Sequence, residues 1–153
     1  MKQQPTTNDY QLKVCGLTKI DQIQELISMN VDFLGFIFYE KSPRFVLNHL
    51  SLKEISEINH QGKVGVFVNE TVEKIVEISE KSNLNFIQLH GDEDREFILR
   101  LRQKLSENTK ITKVIRIGNQ KTEELKKNSN NQRIKSVRIF LRGQIILLFN
   151  KLF

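Results

Sequence analysis

The sequence is poor in cysteine and histidine and lacks long apolar runs. It has one Cys and three His in 153 residues. A single cysteine excludes an internal disulfide, and three scattered histidines leave no ligand cluster for structural zinc. The first residues are polar, unlike a secretory signal, and no apolar run reaches the roughly 18 residues of a membrane span. The composition therefore predicts a cytoplasmic protein without a metal and without a membrane partner.

Acidic residues are missing from one end of the chain. The formal net charge is +6, but residues 1–124 carry 17 basic and 18 acidic side chains. Residues 125–153 carry no acid and seven basic residues, namely Lys126, Lys127, Arg133, Lys135, Arg138, Arg142 and Lys151. Such a tail could bind nucleic-acid phosphates in a salt-dependent way. No aromatic platform or known binding module accompanies it, so we rank nucleic acid well below a small-molecule partner.

The middle of the chain alternates short apolar segments with amphipathic ones. We expect strands at residues 11–14, 31–39, 63–68, 84–89 and 111–117. Helices are expected at residues 21–29, from Ser51, from about Thr71, from Asp94, and weakly at 121–127. This β-α rhythm predicts a parallel α/β sheet. The pattern alone leaves an open doubly wound sheet and a closed barrel as alternatives, and 153 residues are few for a closed (β/α)₈ barrel, which needs at least about 200. We divide the chain into a disordered leader (1–10), the α/β part (11–127) and an aberrant tail (128–153).

Three motifs carry a family resemblance. They are Lys-Val-Cys-Gly-Leu-Thr at 13–18, Val-Asp-Phe-Leu-Gly-Phe-Ile-Phe at 31–38 and Lys-Ser-Pro-Arg-Phe-Val at 41–46. In type and order they resemble the amino-terminal part of phosphoribosylanthranilate isomerase. The resemblance implies an incomplete (β/α)₈ TIM-barrel fold with about five to six βα units. It also implies an Amadori rearrangement of phosphoribosylanthranilate in tryptophan biosynthesis, which needs proton transfers and no cofactor.

Site residues follow from the ends of the predicted strands. Strands joined through helices run parallel, so Cys15, the loop with Arg44, and His90 should share one edge of the sheet. The resemblance implies that Cys15 is the catalytic base, that Arg44 binds the anthranilate carboxylate, and that His90 contacts the substrate. A thiol can act as a base where a positive environment stabilises its thiolate. Without the motifs, a small buried thiol, a solvated arginine and a structural histidine would be the simpler interpretations.

Several local features have simpler interpretations. Thr18 and Ser51 are expected to cap helices, with Glu54 completing a capping box. Asp92 and Glu93 are expected to cap the fourth helix. Gly35 inside a strand indicates close approach of a neighbouring backbone or a ligand. Gln88 and Gly91 should shape a turn, while His49 and His60 are expected in surface loops.

The rhythm stops after a sixth possible strand at residues 133–141. The segment RGQIILLFNKLF then offers no helix cap, no seventh or eighth strand and no glycine-rich loop. No Asp or Glu follows Glu124, so the general-acid Asp of the family has no counterpart. Our hypothesis is a reading-frame shift or truncation near residues 133–143. The alternative to an active enzyme is therefore a catalytically inactive remnant with open sheet edges, and the oligomeric state stays open.

Overall fold

The computed structural model describes residues 11–115 and the backbone of residues 136–141 and 144–150. The elements in these ranges are β1 (Lys13–Cys15), α1 (Ile20–Ser28), β2 (Phe33–Ile37), a 3₁₀ turn (Val46–Asn48), α2 (Leu52–Glu57), β3 (Lys63–Phe67), α3 (Val72–Ser82), β4 (Phe86–Leu89), α4 (Arg95–Lys104), β5 (Lys110–Ile115), β6 (Ser136–Leu141) and β7 (Gln144–Asn150). The predicted leader (1–10) and the predicted helix at 121–127 lie outside the described residues. No helix in the described part is long and apolar enough to cross a membrane.

The first five strands form a parallel sheet in chain order, β1-β2-β3-β4-β5. The predicted alternation of strand and helix is confirmed, although the strands are shorter than the apolar runs that predicted them. One α-helix lies between each pair of consecutive strands from β1 to β5, and the 3₁₀ turn precedes α2 in the second connection. All five carboxyl ends therefore meet at one edge of the sheet, which we call the carboxyl rim; the opposite edge is the amino rim.

The register assigns each strand residue to one of two faces. Cys15 pairs with Gly35, and Val66 pairs with Gln88. Because partners in register share a face, one face carries Lys13, Cys15, Phe33, Gly35, Ile37, Val64, Val66, Phe86, Gln88, Lys110, Thr112 and Val114. We call it the inner face. The outer face packs against the helices through a core of fully buried side chains that includes Leu34, Phe36, Phe67, Ile87 and Leu89.

The sheet curls towards its inner face. The rings of Phe33 and Phe86 meet edge to face with centroids 5.1 Å apart, although β3 lies between their strands. In a flat sheet β2 and β4 would stand about 9.6 Å apart. The Lys13 ammonium also donates a hydrogen bond to Gln88 across the two intervening strands. This curvature is what a barrel wall requires and an open, gently twisted sheet does not.

Helix starts follow local capping chemistry with one exception. Ser51 and Glu54 form the predicted capping box at α2, and Thr71 accepts from the Lys74 amide at α3. The prediction that Thr18 caps α1 is wrong: Lys19 is the N-cap residue, without a side-chain cap hydrogen bond. Apolar packing of Ile23, which is fully buried, holds α1 in place instead.

A buried lysine joins the outer face to α2. Lys63 is 2% exposed, and its ammonium donates hydrogen bonds of 3.2 Å to the carbonyls of Ile55 and Ser56. Those carbonyls lie in the last turn of α2, where helix carbonyls lack intrahelical partners. Burial lowers the pKa of Lys63, because desolvation disfavours the charged form.

The end of the described chain breaks the parallel order. β6 and β7 form an antiparallel hairpin, and β7 pairs antiparallel with β5. The expectation that no seventh strand follows residue 141 is therefore wrong. The run Ile145–Phe149 is apolar, and β5 otherwise presents an unpaired edge that an extended chain can satisfy. The strand that results is a hairpin partner, not a further βα unit.

Candidate active site at the carboxyl rim

Cys15 is the last residue of β1, and its side chain occupies space that is free because the neighbouring residue in β2 is Gly35. A Cβ built on Gly35, its partner in β2, would lie 2.8 Å from Cys15 Sγ and 3.0 Å from its Cα. The close approach predicted for Gly35 is therefore present, and Cys15 is the group that approaches. The thiol is half-buried on the inner face, so it is both held in place and open to a ligand.

Arg44 lies against Gly16, the residue that follows β1. A Cβ on Gly16 would come within 2.9 Å of both Cδ and Nη1 of Arg44. Gly16 also has φ +83°, which a side chain would strain. The Arg44 amide donates to the Ser42 hydroxyl at 3.2 Å, which fixes the loop after β2. The exposed guanidinium thus lies beside the backbone that follows Cys15.

His90 follows β4 on the same rim. Its amide donates to the carbonyl of Phe67 at 2.8 Å, so the backbone ladder continues one residue beyond the strand. Strand alternation assigns His90 to the same face as Gln88. Cys15, Arg44 and His90 therefore share one edge, as predicted; their chemical roles stay predictions.

Lys13 is an inner-face residue that was not among the predicted site residues. Its ammonium is hydrogen-bonded to the Gln88 side-chain oxygen, and Gln88 is only 5% exposed. Burial lowers the pKa of Lys13, and the charge of nearby Cys15 acts in the opposite direction. The signal available in sequence was a lysine two residues before the candidate thiol, which strand periodicity puts on the same face.

Glu93 connects the loops after β3 and β4 with strand β5. Its carboxylate accepts from the Asn69 amide at 2.8 Å and the Gly91 amide at 3.1 Å, and it pairs with the Lys113 ammonium at 2.5 Å. Lys113 also donates to the Gly91 carbonyl at 2.7 Å. The prediction that Asp92 and Glu93 cap α4 is wrong, because Asp94 is the N-cap and accepts from the Phe97 amide. Glu93 instead fixes the segment that follows His90.

The Asn69 side chain completes this arrangement. Asn69 has φ +50°, and its side-chain oxygen accepts from the Asp92 amide at 2.7 Å. A Cβ on Gly91 would lie 2.2 Å from that oxygen, so Gly91 allows the two loops to touch. Burial alone would raise the pKa of Glu93, but hydrogen bonds from Lys113 and the Asn69 amide hold it below its ordinary value. The group we call the Glu93 cluster (Asn69, Gly91, Glu93 and Lys113) thus includes an ionised carboxylate.

The amino rim also holds an opening. A cavity of about 570 Å³ lies between the inner-face residues Phe33, Phe86 and Lys110 and the loops before β2 and β3. His60 borders it, half-buried, with Nδ1 accepting from the Gly62 amide at 2.9 Å and Nε2 bonded to the Val31 carbonyl at 2.8 Å. His60 is therefore a structural link and not the surface loop residue that was predicted, whereas His49 is exposed as expected.

In residues 11–115, no three His, Cys, Asp or Glu side chains cluster as a metal site would require. The charged groups at the carboxyl rim include Arg44 and the ion pair of Glu93 with Lys113. Such groups suit an anionic organic ligand and proton transfer.

Comparison with known proteins places the chain beside one family. A family model described as N-(5'-phosphoribosyl)anthranilate (PRA) isomerase matches residues 12–137. The isomerase of that name from Trichodesmium erythraeum is 41% identical over 119 residues, covering 76% of this chain and 50% of that protein. The one from Thermoanaerobacter sp. is 37% identical over 123 residues, covering 77% and 58%. The chain spans about half the length of the curated relatives it matches.

Solved structures agree with this match. Phosphoribosylanthranilate isomerase from Thermotoga maritima superposes with a TM-score of 0.64 at 29% identity, covering 78% of this chain and 60% of that one. The same values hold for a phosphoribosyl anthranilate isomerase in complex with reduced 1-(o-carboxyphenylamino)-1-deoxyribulose 5-phosphate. The likeness confirms the expected fold, an α/β fold of (β/α)₈ barrel type that is present in part.

Proposed function

Since the chain belongs to the N-(5'-phosphoribosyl)anthranilate isomerase family, we propose that its carboxyl rim binds phosphoribosylanthranilate and performs the Amadori rearrangement of tryptophan biosynthesis. The product is 1-(2-carboxyphenylamino)-1-deoxyribulose 5-phosphate. The observation that carries the proposal is the juxtaposition at Gly16, where the Arg44 guanidinium lies against the residue that follows Cys15. A carboxylate binder and a thiol are thereby adjacent on one rim.

Each side chain has a role that fits its position. In the rearrangement a base removes the proton from C2′ of the sugar, and Cys15 is the group we assign to this step. The planar fork of Arg44 suits the anthranilate carboxylate, since guanidinium and carboxylate form two parallel hydrogen bonds. His90 is assigned a contact at the anthranilate end. These steps are proton transfers, so the proposal includes no cofactor, and we propose the cytoplasm as its compartment.

The step that needs a general acid is the one on which turnover by this chain depends. Opening of the ribose ring needs a proton on the ring oxygen, and no Asp or Glu follows Glu124. We therefore test turnover in a tryptophan auxotroph that lacks this isomerase. Growth restored by the chain, and lost with Cys15→Ala, is the expected result. Growth that persists with Cys15→Ala would overturn the assignment of the base.

A second function is favoured by the pairing of β7. In a (β/α)₈ barrel the strand beside β5 runs parallel, whereas here β7 occupies that edge antiparallel. This observation favours a remnant that binds the ligand without converting it. Binding is measured by calorimetry with the reduced 1-(o-carboxyphenylamino)-1-deoxyribulose 5-phosphate that a related enzyme holds. Binding without rescue of growth would identify the remnant; neither binding nor rescue would reject both functions.

Arg44 provides the matched control for the binding measurement. Arg44→Lys keeps the charge but loses the planar fork, and we expect about tenfold weaker binding. Lys41→Ala removes an exposed charge from the same loop and should change binding about twofold at most. Equal affinities for the two variants would mean that Arg44 is a solvated loop residue.

A further inference from the structure

Lys13 holds a positive charge on the inner face close to the candidate base. It precedes Cys15 by two residues in β1, so both side chains leave the strand on one face. Its ammonium donates to Gln88, which belongs to β4, three strands away in the sheet. The side chain therefore lies along the concave surface and not out into solvent.

A buried ammonium needs more than one neutral partner. Desolvation of a charged group is unfavourable unless hydrogen bonds or an opposite charge offset it. Gln88 supplies a hydrogen bond but no negative charge. Among the inner-face residues of β1 to β5 there is no Asp or Glu. The thiol of Cys15 is the one acidic group on those strand faces near the rim, and its charge favours the protonated form of Lys13.

The other titratable groups around Cys15 come from neighbouring elements. Arg44 approaches from the loop after β2, and His90 follows β4 on the same face. Strand alternation also directs half-buried Tyr39, two residues beyond β2, to that face. β3 and β5 present Val64, Val66 and Thr112, which carry no charge. Lys13 and Arg44 are thus the two basic side chains placed beside the thiol, and of these only Lys13 lies on its own strand.

We propose that Lys13 is a positioning residue whose ammonium stabilises the thiolate of Cys15, while Gln88 fixes the ammonium on the inner face. This inference rests on the proposed function only for the use of that thiolate as a base. Its geometric basis, the placement of both side chains on one face of β1 and the Lys13–Gln88 hydrogen bond, does not depend on turnover. It also gives a reason for a lysine at a half-buried position, where an apolar residue would pack without a desolvation cost.

The test uses the fact that the chain has a single cysteine. Iodoacetamide, a neutral reagent, alkylates the thiolate and releases iodide, so the rate reports Cys15 alone. Rates at about pH 7 are divided by rates at about pH 9.5, above the pKa of an unperturbed thiol, and this ratio removes differences in accessibility. The comparison includes wild type, Lys13→Met, Lys13→Gln and Lys13→Arg, with Lys110→Met as the matched control. Lys110 lies on the same face at the amino rim, beside the Phe86 ring.

The expected result is a loss confined to the variants without a charge at position 13. The rate ratio should fall about tenfold in Lys13→Met and Lys13→Gln, and stay within about twofold in Lys13→Arg and Lys110→Met. Lys13→Gln keeps a hydrogen-bond donor for Gln88. If circular dichroism shows that Lys13→Met does not fold, the rate ratio of Lys13→Gln is the one that tests the proposal. An unchanged ratio in Lys13→Gln, or an equal fall in Lys110→Met, would overturn the proposal. Because alkylation needs no turnover, a chain that fails to rescue the auxotroph leaves this outcome readable.

Discussion

The two rims of the sheet are stabilised in different ways. At the amino rim the loops touch each other mainly through backbone. The Leu12 amide donates to the Asp32 carboxylate at 2.7 Å, and the Asp32 and Phe33 amides donate to the Leu12 carbonyl. His60 then links Val31 to Gly62. These hydrogen bonds hold the strands together at this rim.

At the carboxyl rim, side chains fill the corresponding spaces. Gly16 leaves room for Arg44, Gly35 leaves room for Cys15, and Gly91 leaves room for Asn69. The Glu93 cluster joins the loops after β3 and β4 to strand β5, while Cys15 and Arg44 remain accessible. Loop contacts stabilise the sheet at both rims, but only the carboxyl rim also presents an accessible thiol and guanidinium. Substitutions at the two rims should therefore separate stability from ligand binding.

The largest effect is expected at Gly62 in the amino rim. A Cβ there would lie 1.9 Å from the Asp32 carbonyl oxygen, a backbone atom that cannot rotate away. Gly62→Ala should lower the free energy of unfolding by about 3 kcal/mol, as measured by urea denaturation. Gln61→Ala, its exposed neighbour, should stay within about 0.5 kcal/mol. Equal midpoints for the two variants would show that the amino rim is looser than its contacts indicate.

Glu93 should give the next largest effect, at the carboxyl rim. Its side chain is 2% exposed and its partner Lys113 is 22% exposed. Glu93→Gln leaves the Lys113 ammonium without its anion and should lower the free energy of unfolding by about 2 kcal/mol. The control Glu80→Gln changes an exposed carboxylate and should shift it by less than about 0.5 kcal/mol. A loss as small as that of the control would mean that the Glu93 cluster contributes little to the rim.

The same pair predicts a dependence on pH with a definite sign. The pKa of Glu93 is lowered in the folded chain, since hydrogen bonds from Lys113 and Asn69 outweigh burial. Its stabilisation is therefore present above the ordinary carboxyl pKa and is lost as the pH falls through the lower folded value. The difference in unfolding free energy between wild type and Glu93→Gln should shrink as the pH falls below the ordinary carboxyl range. A difference that grows on acidification would contradict the direction of the pKa shift.

The features that the sequence predicted correctly depend on short-range interactions and strand periodicity. The β-α alternation, the capping box at Ser51, and the close approach at Gly35 depend on residues near in sequence or on strand periodicity. The sharing of one edge by Cys15, Arg44 and His90 follows from parallel crossovers, which fix the direction of each strand end. These features needed no knowledge of packing distances.

Long-range side-chain pairs left no comparable signal. Lys13 and Gln88 are 75 residues apart and meet only because the sheet curls. Glu93 stood in an ordinary helix-capping context, and its pairing with Lys113 depended on the end of a different strand. The sequence does not predict strand β7, because its apolar run fits no βα pattern and becomes a strand by pairing with the open edge of β5. Such contacts are set by tertiary geometry, which periodicity does not encode.

The smallest effect on stability should come from Gly16, where it sharpens the contrast between the rims. Gly16→Ala forces an alanine to φ +83° and pushes the Arg44 side chain, which can move, so we expect a loss of about 1 kcal/mol. Asn30→Ala imposes similar strain at φ 56° in an exposed amino-rim loop. Both variants should unfold alike, but only Gly16→Ala should weaken binding of the reduced ligand analogue, by about tenfold, as measured by calorimetry. Equal affinities would indicate that Arg44 recovers its position despite the added methyl group, and that the contact at Gly16 does not set the ligand site.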